Sequence, residues 1–241
     1  SGWMLLNYNK PVQVSSTLGG FQPNYAVNED IKTYWSAKSG AKGEYIISDL
    51  GEKSTINAIQ INYADQDVEL MGKPETTTGH KYVLYYSDNN KDWKILLDKS
   101  KNTKDVPHDY IEFQKSIRAR YVKMVNIQMP TGKFALCGFR IFGKGSGITP
   151  GIVNNFVPLR TEPKKEGERR NVWFKWQQES SADGYVIYFG KSPDKLYGSI
   201  MVYGKNEYYF NGLDQSDAYY FQIEAFNNNG IGPRTEIKKS E

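Results

Sequence analysis

Groups able to do covalent or metal chemistry are sparse in this 241-residue chain, which has two histidines, His80 and His108, and one cysteine, Cys137. A structural zinc site needs a tetrahedral set of nitrogen and sulfur ligands, and no cysteine pair accompanies the histidines. No Gly-x-Ser-x-Gly turn offers an activated serine. The run from Asp65 to Thr76 begins like a helix–loop–helix calcium loop. Leu70, however, stands where that loop needs glycine, and Thr76 where it needs glutamate. Acids are plentiful, but nothing in the sequence pairs two of them at the roughly 5–9 Å across a cleft that glycoside hydrolysis requires. Catalysis by these residues is not expected.

Non-covalent recognition remains. Three polar stretches interleave aromatics with hydrogen-bonding side chains: 20–25 with Phe21, Asn24 and Tyr25; 65–80 with Asp65, Asp67 and His80; and 106–110 with His108, Asp109 and Tyr110. A fourth, 129–134, contains Lys133. An aromatic face beside Asp, Asn, His or Lys suits a ligand with apolar C–H faces and a ring of hydroxyls, as sugars have. Phe21 reads equally as an exposed platform and as a packing residue of the rim. The run His108–Asp109–Tyr110 reads as ligand-binding or as a buried network that fastens its loop.

The elements that must position these stretches are strands. Aromatics make up 14% of the chain, led by 18 Tyr, and no long helical run of Ala, Leu, Glu and Lys occurs, which favours an all-β fold. A strand is expected from Leu5 to Ser15. Others are expected over 45–50, around Ile59, Ile61 and Tyr63 with Gln60 and Asn62 on the opposite face, and over 82–87, 110–113, 119–124 and 139–143. Residues 144–151 read as a linker by composition. Beyond it, Val172, Phe174 and Trp176 alternate, 184–190 forms another strand, and Phe221, Ile223 and Ala225 recur at period two. Two domains, 1–147 and 148–241, are expected.

The net charge of +4 sits wholly in the first 147 residues as scattered single lysines and arginines, so no nucleic-acid partner is expected. Nothing approaches the roughly 20 apolar residues that cross a bilayer, and no signal peptide is visible. The Ser1–Gly2 start reads as the cut end of a longer chain. A lone cysteine permits no intrachain disulfide.

Ala26, Asn28, Thr33 and Trp35, then Asp49–Leu50–Gly51, stand in the order of the opening motif of discoidin domains, also called coagulation factor 5/8 type C domains. The strand, turn and Trp at 82–93, the Ala119–Arg120–Tyr121–Val122 run and the closing Phe139–Gly143 strand continue that resemblance over about 3–143. It implies a jelly-roll β-sandwich, galactose-binding-like, with Trp35 and Trp93 in the core. Sugar-binding relatives hold a structural calcium in the loop before the Trp, and Asn28, Asp30 and Thr33 would be its oxygen ligands here. The usual additional glutamate is Gly138, so one charged ligand is missing. Asn28 and Asp30 read equally as turn caps. Lipid-binding discoidin domains expose apolar spikes beside basic residues. Here Phe21 and Met71 stand among Asp65, Asp67 and Glu69, which repel anionic headgroups, so membrane lipid is not expected.

The second half resembles a smaller, immunoglobulin-like fibronectin type III sandwich, with Trp176 plugging the core and Leu213 and Tyr219 at tyrosine-corner spacing. Gln215 replaces the usual proline between them. The whole also resembles the C-terminal accessory region of bacterial glycoside hydrolase family 43 enzymes, through 28–37 (NEDIKTYWSA), 61–65 (INYAD), 106–110 (VPHDY) and 132–135 (GKFA). That resemblance implies a secreted, periplasmic or outer-surface bacterial protein and a catalytic propeller upstream of residue 1. The expected partners are a plant-type polysaccharide or oligosaccharide containing arabinose or xylose, and the chain's own catalytic domain. The alternative is a structural docking or adhesion module that binds protein and has no sugar ligand.

Overall fold

The computed structural model describes residues 2–68, 79–160 and 168–240. The chain divides into two compact units, Ser1–Ser146 and Gly147–Glu241. The all-β expectation holds: among the described residues the only helical pieces are two 3-10 turns, Pro23–Ala26 and Glu168–Arg170.

The first unit comprises β1 (Met4–Leu5), β2 (Val12–Val14), β3 (Trp35–Ser36), β4 (Tyr45–Tyr63), β5 (Lys81–Ser87), β6 (Lys94–Asp98), β7 (His108–Gln128) and β8 (Ala135–Lys144). The single strand expected from Leu5 to Ser15 is two pieces, β1 on β8 and β2 on β4, separated by a turn in which Asn9 takes a φ of 51°. Conversely, the strands expected at 45–50 and 59–63 are one, and so are those at 110–113 and 119–124. Gly51, at φ +81°, lies where the β4–β7 register shifts between Asp49 and Ser54; a second shift falls between Ile56 and Ala58. Such bulges bend a strand and sharpen its twist. Before the bend β4 pairs with β2 (Val14 opposite Ile46); after it β4 pairs with β8 (Ile59 opposite Ile141). One strand therefore serves both layers of a β-sandwich.

Between the layers lies a core that includes Trp35, Ile46, Leu84, Phe134 and Phe139, all fully buried. Trp35 meets Phe134 edge-on, with ring centroids 5.4 Å apart. Trp93, expected in the core, is instead half-buried and outside that cluster. It precedes β6, which ends the sheet, and the Lys123 ammonium lies 5.4 Å from its ring and 4.6 Å from that of Tyr45. Trp93 lies just ahead of that strand, whereas Leu96 and Leu97 within it do pack against the core.

The second unit contains β9 (Val157–Arg160), β10 (Val172–Lys175), β11 (Gly184–Gly190), β12 (Gly198–Tyr203), β13 (Glu207–Phe210), β14 (Tyr219–Asn227), β15 (Gly230–Ile231) and β16 (Lys238–Ser240). A three-stranded sheet, β13-β10-β9, and a five-stranded one, β12-β11-β14-β15 with β16 on β14, share a core that includes Val172, Phe174, Trp176, Ile187, Phe221 and Ile223. Leu213 is buried, and the Tyr219 hydroxyl accepts the Asp214 N–H at 2.9 Å, the geometry of a tyrosine corner. Part of the linker segment is tied down. Asn229 Oδ1 accepts the Gly147 N–H at 2.8 Å, and the amides of Asn227 and Asn229 donate to the Ile148 carbonyl.

Candidate functional site

Strand pairing places the four stretches at one end of the first unit. Val14 opposite Ile46, Tyr45 opposite Val125 and Lys81 opposite Gln128 gather one set of strand ends, and the N–H groups of Phe134, Lys133 and His80 donate to the carbonyls of Ser39, Gln66 and Lys104, which ties together the connections 15–44, 64–80, 99–107 and 129–134. Residues 69–78, including Glu69 and Met71, lie outside the described residues.

Three of these connections interlock through side chains. Phe21 is half-buried and stacks on Tyr34, with centroids 4.8 Å apart and planes 27° from parallel. The Tyr34 hydroxyl donates to Gln66 Oε1 at 2.6 Å. Gln66 Nε2 donates to Asp67 Oδ1 at 3.2 Å, and the Lys133 N–H donates to the Gln66 carbonyl at 2.9 Å. The Lys133 ammonium then pairs with Asp67 Oδ2. Gly132 makes that approach feasible: its φ is +75°, and a Cβ there would meet Gln66 O at 2.5 Å. A row of aromatic face, phenol, amide, carboxylate and ammonium thus crosses the rim. Asp65 is exposed beside Gln66, while Asn24 (exposed) and Tyr25 (half-buried) sit on the Pro23–Ala26 turn after Phe21.

The remaining candidates divide between two other places. Asp109 turns inward and accepts the Tyr82 hydroxyl at 2.6 Å. His80 is buried and packs on Tyr63, ring centroids 4.1 Å apart. Burial, reinforced by Asp109, pushes the Tyr63 and Tyr82 phenols far above their ordinary range, so both remain protonated. His108 and Tyr110 lie two residues apart on β7 and face outward instead. His108 Nδ1 is 3.0 Å from Asn62 Oδ1, and the Tyr110 hydroxyl donates to Glu112 at 3.1 Å. The period of two along a strand separates Asp109 from its neighbours, a split that the run of residues alone does not reveal.

His80 Nδ1 has two competing neighbours. The Val106 N–H donates to it at 3.0 Å, and Asp105 Oδ1 lies 3.0 Å away. Burial lowers the His80 pKa, only partly offset by Asp105 and Asp109, so the neutral ring accepting from Val106 is the resident form. A folded pKa below the unfolded value of about 6.5 gives stability that is complete above that pH and drains away as pH falls toward the folded value. Between pH 7.5 and 5 the wild-type melting temperature should therefore fall more steeply than that of His80→Gln. Parallel curves would refute this assignment.

The loop expected to hold calcium is closed by its own hydrogen bonds. Asn28 Oδ1 accepts the Asp30 N–H at 3.0 Å, Asp30 Oδ1 accepts the Lys32 N–H at 2.9 Å, and Thr33 Oγ1 faces the donor Asn28 Nδ2 at 3.0 Å. Glu29, at φ 58°, binds Arg140 Nε and Nη2 at 2.9 and 2.6 Å. Among the described residues no three His, Cys, Asp or Glu side chains gather as a metal site. As arranged, Asn28 and Asp30 cap turns and Asn28 presents an amide donor to Thr33.

Sequence reasoning passed over Tyr34 and Gln66. Trp35 points into the core, so alternation places Tyr34 on the other side of the chain; that signal was present. Gln66 carried none, because its partners come from connections remote in sequence.

A family model described as the F5/8 type C domain matches residues 11–138. No curated protein sequence matches the chain. Chitosan-binding module 2 of the chitosanase/glucanase from Paenibacillus sp. IK-5, solved in complex with chitotriose, is similar at 22% identity over 57% of this chain and 99% of that one, with a TM-score of 0.49. The family 32 CBM from C. perfringens NanJ, solved in complex with galactose, is similar at 16% identity over 58% of this chain and 99% of that one, with a TM-score of 0.45.

Proposed function

Because the chain belongs to the F5/8 type C domain family, we propose that its first unit is a carbohydrate-binding module that takes a polysaccharide or oligosaccharide on the rim around Phe21 and Lys133. The chain as a whole is read as the non-catalytic accessory region of a bacterial glycoside hydrolase. The host enzyme is read as family 43-like, working on arabinose- or xylose-containing glycans outside the cell, with the second, fibronectin III-like unit as spacer. The observation that carries this reading is the interlocked row Phe21–Tyr34–Gln66–Asp67–Lys133. It sets an aromatic face beside a carboxylate, an amide and an ammonium, the mixture that sugar C–H faces and hydroxyls require.

Binding by one such rim is modest, with a Kd of about 1 μM to 1 mM, or roughly 4–8 kcal/mol. Isothermal titration with arabinan, xylan, chitin and galactan oligosaccharides tests it. Phe21→Ala should weaken the responding ligand about tenfold, equivalent to about 1.4 kcal/mol, and leave the melting temperature nearly unchanged. Flat heats with every oligosaccharide would leave the docking alternative standing in its place.

A further inference from the structure

The three-stranded sheet of the second unit buries one face and exposes an aromatic one. Along β10 burial alternates strictly: Val172 and Phe174 enter the core, while Trp173 and Lys175 point outward. Trp173 is flanked by Leu159 on β9 and Tyr209 on β13, and Lys175 by Val157 and Glu207. Leu159, Trp173 and Tyr209 are 50%, 43% and 54% exposed, a full cross-strand row of large apolar side chains left open to solvent. Trp173 and Tyr209 meet at 85° with centroids 6.3 Å apart, so a ring stacked on one is edged by the other. The Lys175 ammonium lies over one face of the Trp173 ring, 4.4 Å from its centroid, which steadies the indole and puts a hydrogen-bond donor on that side of it.

We propose that this face is a second carbohydrate-binding surface, for a neutral polysaccharide strand. Area argues against a protein occupant. Three strands of four residues span about 10 by 13 Å, far below the ~800 Å² per partner of a stable protein interface. Charge argues the same way. Among the described residues of the face one lysine and one glutamate close the row, so their charges cancel and select neither an acidic nor a basic polymer. A Trp–Tyr pair edged by one donor and one acceptor matches a sugar ring's apolar face and hydroxyl rim. This rests on the carbohydrate reading of the chain for its ligand class, but on different residues. Two surfaces in one chain would raise retention on a polymer above that of either alone.

The test is native affinity electrophoresis of the full chain in gels cast with soluble arabinoxylan, galactan or hydroxyethylcellulose. Wild type is compared with Trp173→Ala/Tyr209→Ala, with the milder Trp173→Gln, and with Phe21→Ala. Both β10 variants should melt with the wild type, because neither side chain is in the core, and should lose at least half of the retardation in a gel that retards the wild type. Retardation kept by both β10 variants but lost by Phe21→Ala overturns this surface and leaves the rim reading intact. Retardation lost by the β10 variants but kept by Phe21→Ala supports this surface and sinks the rim. An unretarded wild type overturns both, and a wild-type dimer in sedimentation that Trp173→Ala dissolves would make the occupant a second copy of the chain.

Discussion

Trp35→Ala is expected to destabilise the first unit by about 3–5 kcal/mol, the usual cost of emptying a fully buried indole site. The ring is 0% exposed, packs edge-on against Phe134, and donates through Nε1 to the Ser16 carbonyl at 3.2 Å. Its loss opens a cavity and also frees the connection that carries Phe21. At roughly 2–4 °C per kcal/mol for a domain near this size, the melting temperature of the first unit should fall by roughly 10 °C. Trp35→Phe should recover part of that loss by filling most of the cavity without restoring the hydrogen bond. A Trp35→Ala protein melting within a degree or two of wild type would show that the core does not depend on this plug.

Glu44→Ala should have the next largest effect, about 2–3 kcal/mol, because charged acceptors make the stronger hydrogen bonds. The Glu44 carboxylate accepts from Ser15 Oγ at 2.8 Å, Ser16 Oγ at 2.9 Å, and Ser39 N and Oγ at 3.1 Å. It therefore gathers both ends of the long excursion between β2 and β4, from which Phe21 and Tyr34 project. Removing it should lower stability and weaken glycan binding together, whereas Phe21→Ala touches binding alone. Glu44→Gln keeps one good acceptor and should fall between. Chemical denaturation and calorimetric titration on the same three proteins separate the two effects. Unchanged affinity in a destabilised Glu44→Ala would show that the rim holds its shape without this clasp.

Both predictions concern residues outside the row itself, and that reflects how the rim is made. Phe21, Asp67 and Lys133 stand on three different connections, and each reaches its neighbour only because the strands beneath are in register. The cost of ordering those connections is met by the core and by clasps such as Glu44, not by the recognition residues themselves.

Much of the architecture was already determined by the chain's own pattern. Period-two alternation at Ile59, Ile61 and Tyr63 placed a buried strand face, Trp35 read as core, and Leu213 and Tyr219 marked a corner that the Asp214 N–H bond completes. These are short-range signals, set by which side of an extended chain each residue faces. Only the tertiary structure decided that β4 and β7 run unbroken through bends, because local composition does not distinguish the end of a strand from a bulge within it. Only it sent His80 and Asp109 inward, turned His108 and Tyr110 onto an outer sheet face, and joined Gln66 to Tyr34 and Lys133. A polar side chain has no preferred side until its partners are in place, and for His108, Asp109 and Tyr34 those partners lie tens of residues away.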